Sequence, residues 1–198
     1  MKKIILGSAS PRRRELLSQI GLEFEVVISH KEECYKSTVP EEIVKELALM
    51  KAENAASELE DRGGLNDTVV IGADTIVVLD HQILGKPKDE KDAYQMLSDL
   101  QGRAHQVYTG AAILDFGHDG KRDVCVHAVE TKVYVHEMDR QEILSYINTG
   151  EPMDKAGAYG IQGKFAAYID KIEGDYYNVV GLPVSYVYQQ LKKIGIAG

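Results

Sequence analysis

Cysteine is scarce in this sequence: Cys34 and Cys125 are the only two. Their spacing fits neither a redox pair nor a metal clasp. A disulfide framework is therefore not expected, and a reducing cytoplasm is the simpler setting. Long apolar runs are missing as well. No stretch has the length needed to cross a bilayer, so no membrane partner is expected. Two lysines near the start precede only Ile4-Ile5-Leu6 before small and then charged residues, too little for the apolar region of a secretory signal. Positive charge is not in excess: 23 Lys+Arg against 31 Asp+Glu leave a formal charge of −8. That balance argues against a nucleic-acid partner, which wants a broad basic surface. An aromatic-and-basic strand motif for RNA is also lacking. The six histidines are scattered, with no H-E-x-x-H spacing. No G-x-S-x-G elbow, Cys–His signature or Walker-type loop appears, which leaves serine or cysteine nucleophiles and phosphotransfer unsupported.

What remains is an ordinary globular composition. Hydrophobic residues make up 44% of 198 residues and charged ones 27%, enough for a sizeable core in one domain, or one domain with a lobe. There is no repeat, low-complexity tract or obvious linker. Strand and helix patterns alternate. Ile4–Leu6 and Phe24–Ile28 read as strands, with a helix opening at Pro11 between them. Pro40 opens a second helix to about Leu59, with Ile43, Leu47 and Met50 on one face. The β-branched run Thr68–Asp80 predicts a central strand. Asp89 caps a helix that Gly102 ends. Gln106–Phe116 and Val124–His136 predict a hairpin turning at Gly117–Gly120, with a bulge near Ala128 where the alternation changes phase. Asp139 and Glu142 form a capping-box pattern on a helix ending near Gly150. A strand over Phe165–Ile172 and a helix from Pro183 to about Ile194 complete the chain. The hairpin excludes a purely parallel sheet, so the expected fold is α/β: a mixed twisted sheet flanked by helices.

Several residues break their local patterns. In Ser8-Ala9-Ser10-Pro11-Arg12-Arg13-Arg14, Ser10 suits a helix N-cap and Pro11 the first helical position. Free N–H groups at that end, with three arginines beside them, suit a small polyanion. The plainer reading is a solvated basic helix face. Asp74 lies in the apolar strand Val69-Val70-Ile71-Gly72-Ala73-Asp74-Thr75-Ile76-Val77-Val78. A carboxylate there is expensive unless it is paired, metal-bound or protonated. Gly72, on the same face, suggests cleared space beside it, which suits a general base or a Mg²⁺ ligand. The alternative is a structural ion pair. Lys51 falls on the apolar stripe of its helix, where it either snorkels or meets an anion. Gly85-Lys86-Pro87 presents a lysine on a stiff turn after a reversal at Asp80-His81-Gln82. Glu32 and Glu33 leave the second strand as an acid pair. Asp154–Gly163 is Gly-rich and carries Lys155 and Gln162, without matching a phosphate-loop spacing. Glu173–Pro183 is a second Gly-rich stretch with polar groups expected at the surface.

Taken in order, these segments resemble the Maf family of nucleoside triphosphate pyrophosphatases. The matching segments are Ser8–Arg13, Lys51-Ala52, Gly72–Thr75, Gly85–Pro87, Thr109-Gly110, Asp154–Gly163 and Gly174–Pro183, spanning almost the whole chain. The form Tyr159-Gly160-Ile161-Gln162 is similar to the branch acting on dTTP and UTP. The resemblance implies a fold shared with inosine triphosphatases, with 1–198 as a single domain whose two lobes flank a central cleft. Arg12, Lys51, Asp74 and Lys86 would line that cleft. It implies hydrolysis of a triphosphate substrate to monophosphate and pyrophosphate with a divalent metal, Mg²⁺ or Mn²⁺. By position, Asp74 matches the proton acceptor, with Lys51 and Lys86 as catalytic partners. Arg12, Thr75 and Gln162 match positions linked to substrate choice. Ser8, Arg13 and Lys155 match substrate-binding residues, and Glu33 with Asp74 the metal site. Family members often carry Asp-Glu where this chain has Glu32-Glu33. A homodimer is compatible with the resemblance. The alternative is a nucleotide-sensing regulator of cell division that keeps the pocket without turnover.

Overall fold

The computed structural model describes residues 2–31, 33–61, 64–118 and 121–196. Glu32, and the Asp119-Gly120 part of the expected hairpin turn, lie outside them. The elements are β1 (Lys3–Leu6), α1 (Pro11–Gln19), β2 (Glu25–Val26), α2 (Pro40–Glu60), β3 (Thr68–Leu79), β4 (Gln82–Leu84), α3 (Glu90–Leu100), β5 (Ala104–Phe116), β6 (Arg122–Val135), α4 (Arg140–Ile147), β7 (Ile169–Glu173), α5 (Tyr176–Val180) and α6 (Val184–Lys193). Among the described residues the strands form one mixed sheet of order β2-β1-β3-β5-β6-β7, with β4 paired to β3. β1 runs parallel to both β2 and β3, with Ile5 opposite Glu25 and Val70. Parallel neighbours need long crossovers, which α1 and α2 supply. β4 and β7 pair antiparallel with β3 and β6.

The chain divides into two compact units. One holds residues 1–74, 109–129 and 181–198, the other 75–108 and 130–180. Each has its own apolar core. In the first, Ala48, Ala52, Ala55 and Leu59 of α2 pack with Ile5, Val70, Ala112 and Leu114. In the second, Leu97 and Leu100 of α3 and Ile143 and Ile147 of α4 pack with Val77, Val107, Val133 and Phe165.

Helix α2 lies unusually close to the strands of its own unit, and glycine is the reason. A Cβ at Gly72 would overlap the Ala48 carbonyl oxygen and sit 2.6 Å from the Ala52 nitrogen. A Cβ at Gly110 would overlap the Val44 carbonyl, and one at Gly7 would lie 3.0 Å from the Ala55 Cβ. Three glycines, in β3, in β5 and just after β1, thus form a track that seats the small-residue face of α2. The space expected beside Asp74 is therefore filled by helix backbone, a correction to the sequence reading. That close approach is what carries Lys51 to Asp74.

The expected capping signals of α3 and α4 hold. Asp89 accepts from the Asp92 amide. Asp139 and Glu142 form a reciprocal capping box. Ser10 stands at the N-cap of α1 with Pro11 behind it, but its side chain makes no capping bond. The reversal after β3 places Asp80 and His81 both at positive φ, the geometry of a two-residue hairpin. Arg103 clamps Asp80 with two 2.7 Å contacts. The register shift recorded on β6 lies at Tyr134/Val135, against β7.

Two segments differ from the sequence reading. Lys164–Tyr168 is a 3₁₀ turn and the strand begins only at Ile169. In a 3₁₀ turn side chains three apart eclipse, and here Phe165 and Tyr168 meet at 5.6 Å. Burying the Phe165 ring against Tyr146 and Tyr159 overrides the strand pattern. The second Gly-rich stretch contains helix α5, and its Asn178 is fully buried rather than exposed. Asn178 donates to the Val107 carbonyl at 3.0 Å and to the Thr131 hydroxyl at 2.9 Å. Gly174, at φ +132°, lets Thr131 approach and bond both the N–H and the C=O of Asp175.

Candidate active site

In the first unit the loop after β1 and the first turn of α1 turn Arg13 inward. Arg13 is buried, and its Nε donates to the Gly181 carbonyl at 2.7 Å. Its Nη1 donates to Ser8 Oγ at 3.0 Å. Ser8, also buried, accepts from the Ser10 amide as well, at 3.3 Å. Arg14 points outward and staples the loop through the Ala9 carbonyl at 2.9 Å. The solvated-face reading therefore fits Arg14 but not Arg13. Burial lowers the Arg13 guanidinium from its ordinary value. The negative charges of Asp74 and Glu33 oppose that shift, and Arg12 adds to it. Those couplings place Arg12, Arg13, Glu33 and Asp74 in one electrostatic neighbourhood.

Asp74 sits in β3 where the buried run gives way to partly exposed residues. Lys51 Nζ donates to Asp74 Oδ1 at 2.6 Å and lies 3.2 Å from Glu33 Oε2. The lysine on the apolar stripe thus meets anions rather than snorkelling into solvent. The Asp74 and Lys51 side chains keep 15% and 20% of their surface exposed, so the pair is sheltered yet reachable. Glu33 is about half exposed and comes from a segment without regular structure. Six of the expected site residues, Ser8, Arg12, Arg13, Glu33, Lys51 and Asp74, belong to this unit.

The other four, Thr75, Lys86, Lys155 and Gln162, belong to the second unit. Thr75 is half-buried and follows Asp74 directly. Lys86 is exposed on the turn after β4, beside buried Pro87. That turn is tied to the Gly-rich loop by the Gly157 amide, which donates to the Gly85 carbonyl at 3.0 Å. Lys155 Nζ is held at 2.6 Å by both the Glu151 carbonyl and the Asp154 carboxylate. Its stem lies against Gly160, where a Cβ would sit 2.7 Å away. Gln162 is exposed on the turn closing that loop. Sequence reasoning missed two residues that organise this unit, Asn178 and His105. His105 is fully buried, with Nε2 2.6 Å from the Tyr159 hydroxyl.

The fold and these groups describe an α/β protein with a basic loop, a buried arginine and a sheltered lysine–carboxylate pair, the equipment for handling a polyphosphate. The chain belongs to the family whose model is described as Maf-like protein, which matches residues 3–194. The dTTP/UTP pyrophosphatase of Lachnoclostridium phytofermentans is 47% identical over 196 residues, 99% of this chain and 97% of that protein. That of Agathobacter rectalis is 49% identical over 203 residues, 99% of each chain. That of Alkaliphilus oremlandii is 51% identical over 185 residues, 93% and 92% of the two. Among solved structures, a HAM1 protein from Coxiella burnetii aligns with 71% of this chain and 76% of its own, at 15% identity and a TM-score of 0.46.

Proposed function

We propose that this chain is a nucleoside triphosphate pyrophosphatase that cleaves dTTP and UTP to monophosphate and pyrophosphate. The observation that carries the reading is Asp74, held by Lys51 in a central strand, in a chain whose relatives of matching length bear that activity in their names. Asp74 takes the proton of the attacking water. Lys51, Arg12 and Arg13 offset charge on the phosphate chain as the α–β anhydride opens. Ser8 fixes Arg13. Thr75 and Gln162 act in substrate choice.

The donor set fits a hard divalent cation. Glu33 and Asp74 both turn a carboxylate oxygen toward Lys51 Nζ, so one positive charge already sits between them. Among the described residues no group of three His, Cys, Asp or Glu gathers as a ligand set. Mg²⁺ is commonly held by one or two carboxylates plus substrate phosphates, which matches a pair. Glu33 and Asp74 would hold Mg²⁺ or Mn²⁺, which supplies charge stabilisation to the phosphate oxygens. No helix among the described residues is long and apolar enough to cross a membrane, and both cysteines are free. A cytoplasmic setting is part of the proposal, resting on the scarcity of cysteine.

Base choice tests the finer part of the proposal. The Gln162 amide both donates and accepts, matching the alternating edge of uracil and thymine. Gln162→Leu is expected to narrow the UTP-over-CTP ratio of kcat/KM about five- to tenfold, the worth of one net hydrogen bond. Overall metal-dependent turnover should fall less. An unchanged ratio in steady-state assays would remove Gln162 from base reading.

A further inference from the structure

We infer that His105 is a positioning residue whose hydrogen bond from Tyr159 pins the loop carrying Gln162, so that this pair sets base selectivity. The inference rests on the proposed pyrimidine preference. It starts from a strained backbone. Gly157 and Ala158 both adopt positive φ, +69° and +60°, and Ala158 pays a steric cost that glycine would not. Such a turn persists only where its surroundings hold it.

Besides the Gly157 amide's bond to the Gly85 carbonyl, three contacts do so here. The Tyr159 ring packs 4.7 Å from Phe165, centroid to centroid. The Gly160 amide donates to the Tyr146 hydroxyl at 3.3 Å. The Tyr159 hydroxyl meets His105 Nε2 at 2.6 Å, with the rings edge to face at 5.3 Å. The last is a short polar contact that joins the loop to a strand, β5.

The direction of that bond follows from the protonation states. Burial pushes the His105 imidazole down to about 4 and the Tyr159 phenol well above its usual range, so both are neutral near pH 7. His105 Nδ1 is buried without a hydrogen-bond partner among the described residues. If Nε2 carried the imidazole proton, Nδ1 would be an unmet acceptor and the phenol proton would need a further acceptor. If Tyr159 donates to Nε2, only the Nδ1–H is left over. The second arrangement strands fewer groups and is the one to expect. The bond therefore depends on an acceptor at the Nε2 position, and Gln162 stands three residues beyond the tyrosine it holds.

The test uses the full-length protein and the variants Tyr159→Phe, His105→Leu and His105→Gln. Tyr159→Phe keeps the ring and its packing, so it stays informative if His105→Leu folds poorly. Amide hydrogen exchange in the substrate-free protein reads the pin without any turnover. Residues 160–163 should exchange about five- to tenfold faster in Tyr159→Phe, as expected for one lost net hydrogen bond. The UTP-over-CTP ratio of kcat/KM should fall by a similar factor, through KM, with kcat for UTP nearly unchanged. His105→Gln should keep most of the wild-type ratio, because its side-chain oxygen accepts the same hydroxyl. Unchanged exchange in Tyr159→Phe would overturn the pin. Faster exchange with an unchanged ratio, or no rescue by His105→Gln, would overturn its role in selectivity. A wild-type protein that does not distinguish UTP from CTP would instead refute the pyrimidine reading, while the exchange result still decides the pin.

Discussion

Asp74→Asn is expected to lower kcat for UTP and dTTP by about 10²- to 10⁴-fold, the usual worth of a general base. The substitution keeps the volume of the side chain and its ability to accept from Lys51 at the Oδ1 position. Packing in β3 is therefore preserved. The charge and the proton-accepting capacity are both removed. Melting by circular dichroism should stay close to the wild type, because Lys51 keeps a second carboxylate, Glu33, at 3.2 Å. A variant with near wild-type turnover would reduce Asp74 to a structural ion-pair partner.

Gly72→Ala is expected to lower the melting temperature by about 6–12 °C, corresponding to about 3 kcal/mol at the upper end of core overpacking for a chain of this size. The added methyl meets the Ala48 carbonyl and the Ala52 nitrogen, both backbone atoms of α2 that cannot swing aside. Relief requires moving the helix, and Lys51 moves with it. Activity in the folded fraction should therefore fall as well, although Gly72 has no side chain to offer the site. Gly64→Ala is the control, since a Cβ there meets nothing within 4 Å. It should leave melting within about 1 °C. Equal melting for both variants would contradict the glycine track.

The residues most legible in the sequence were those whose chemistry opposed their neighbours. Asp74 stood out in an apolar strand, Lys51 on an apolar stripe, and the two proved to be partners. Capping signals were legible because they are local: Asp89, Asp139 and Glu142 act within one turn of chain. What stayed hidden depends on tertiary packing. Gly72 looked like vacant space because the closeness of α2 cannot be read from β3 alone. Phe165 to Tyr168 carried a strand-like pattern that the aromatic cluster converted into a 3₁₀ turn. Asn178 sat in a Gly-rich stretch that reads as exposed loop, yet it is buried with partners on β5 and β6. His105 is a lone histidine in an apolar strand, and its partner lies 54 residues away. Glu33 was legible only as half of an acid pair at a strand exit, a pattern that more often is merely solvated, and the family resemblance singled it out from Glu32.

The measurement that bears most directly on the account is product analysis of the purified protein with Mg²⁺ and a panel of UTP, dTTP, CTP, ATP and GTP. ³¹P NMR of the reaction separates pyrophosphate from orthophosphate. UMP and dTMP with one pyrophosphate each are expected, with kcat/KM for UTP and dTTP well above those for the other three. Diphosphate with orthophosphate as products, or no turnover of any triphosphate, would contradict the proposed function.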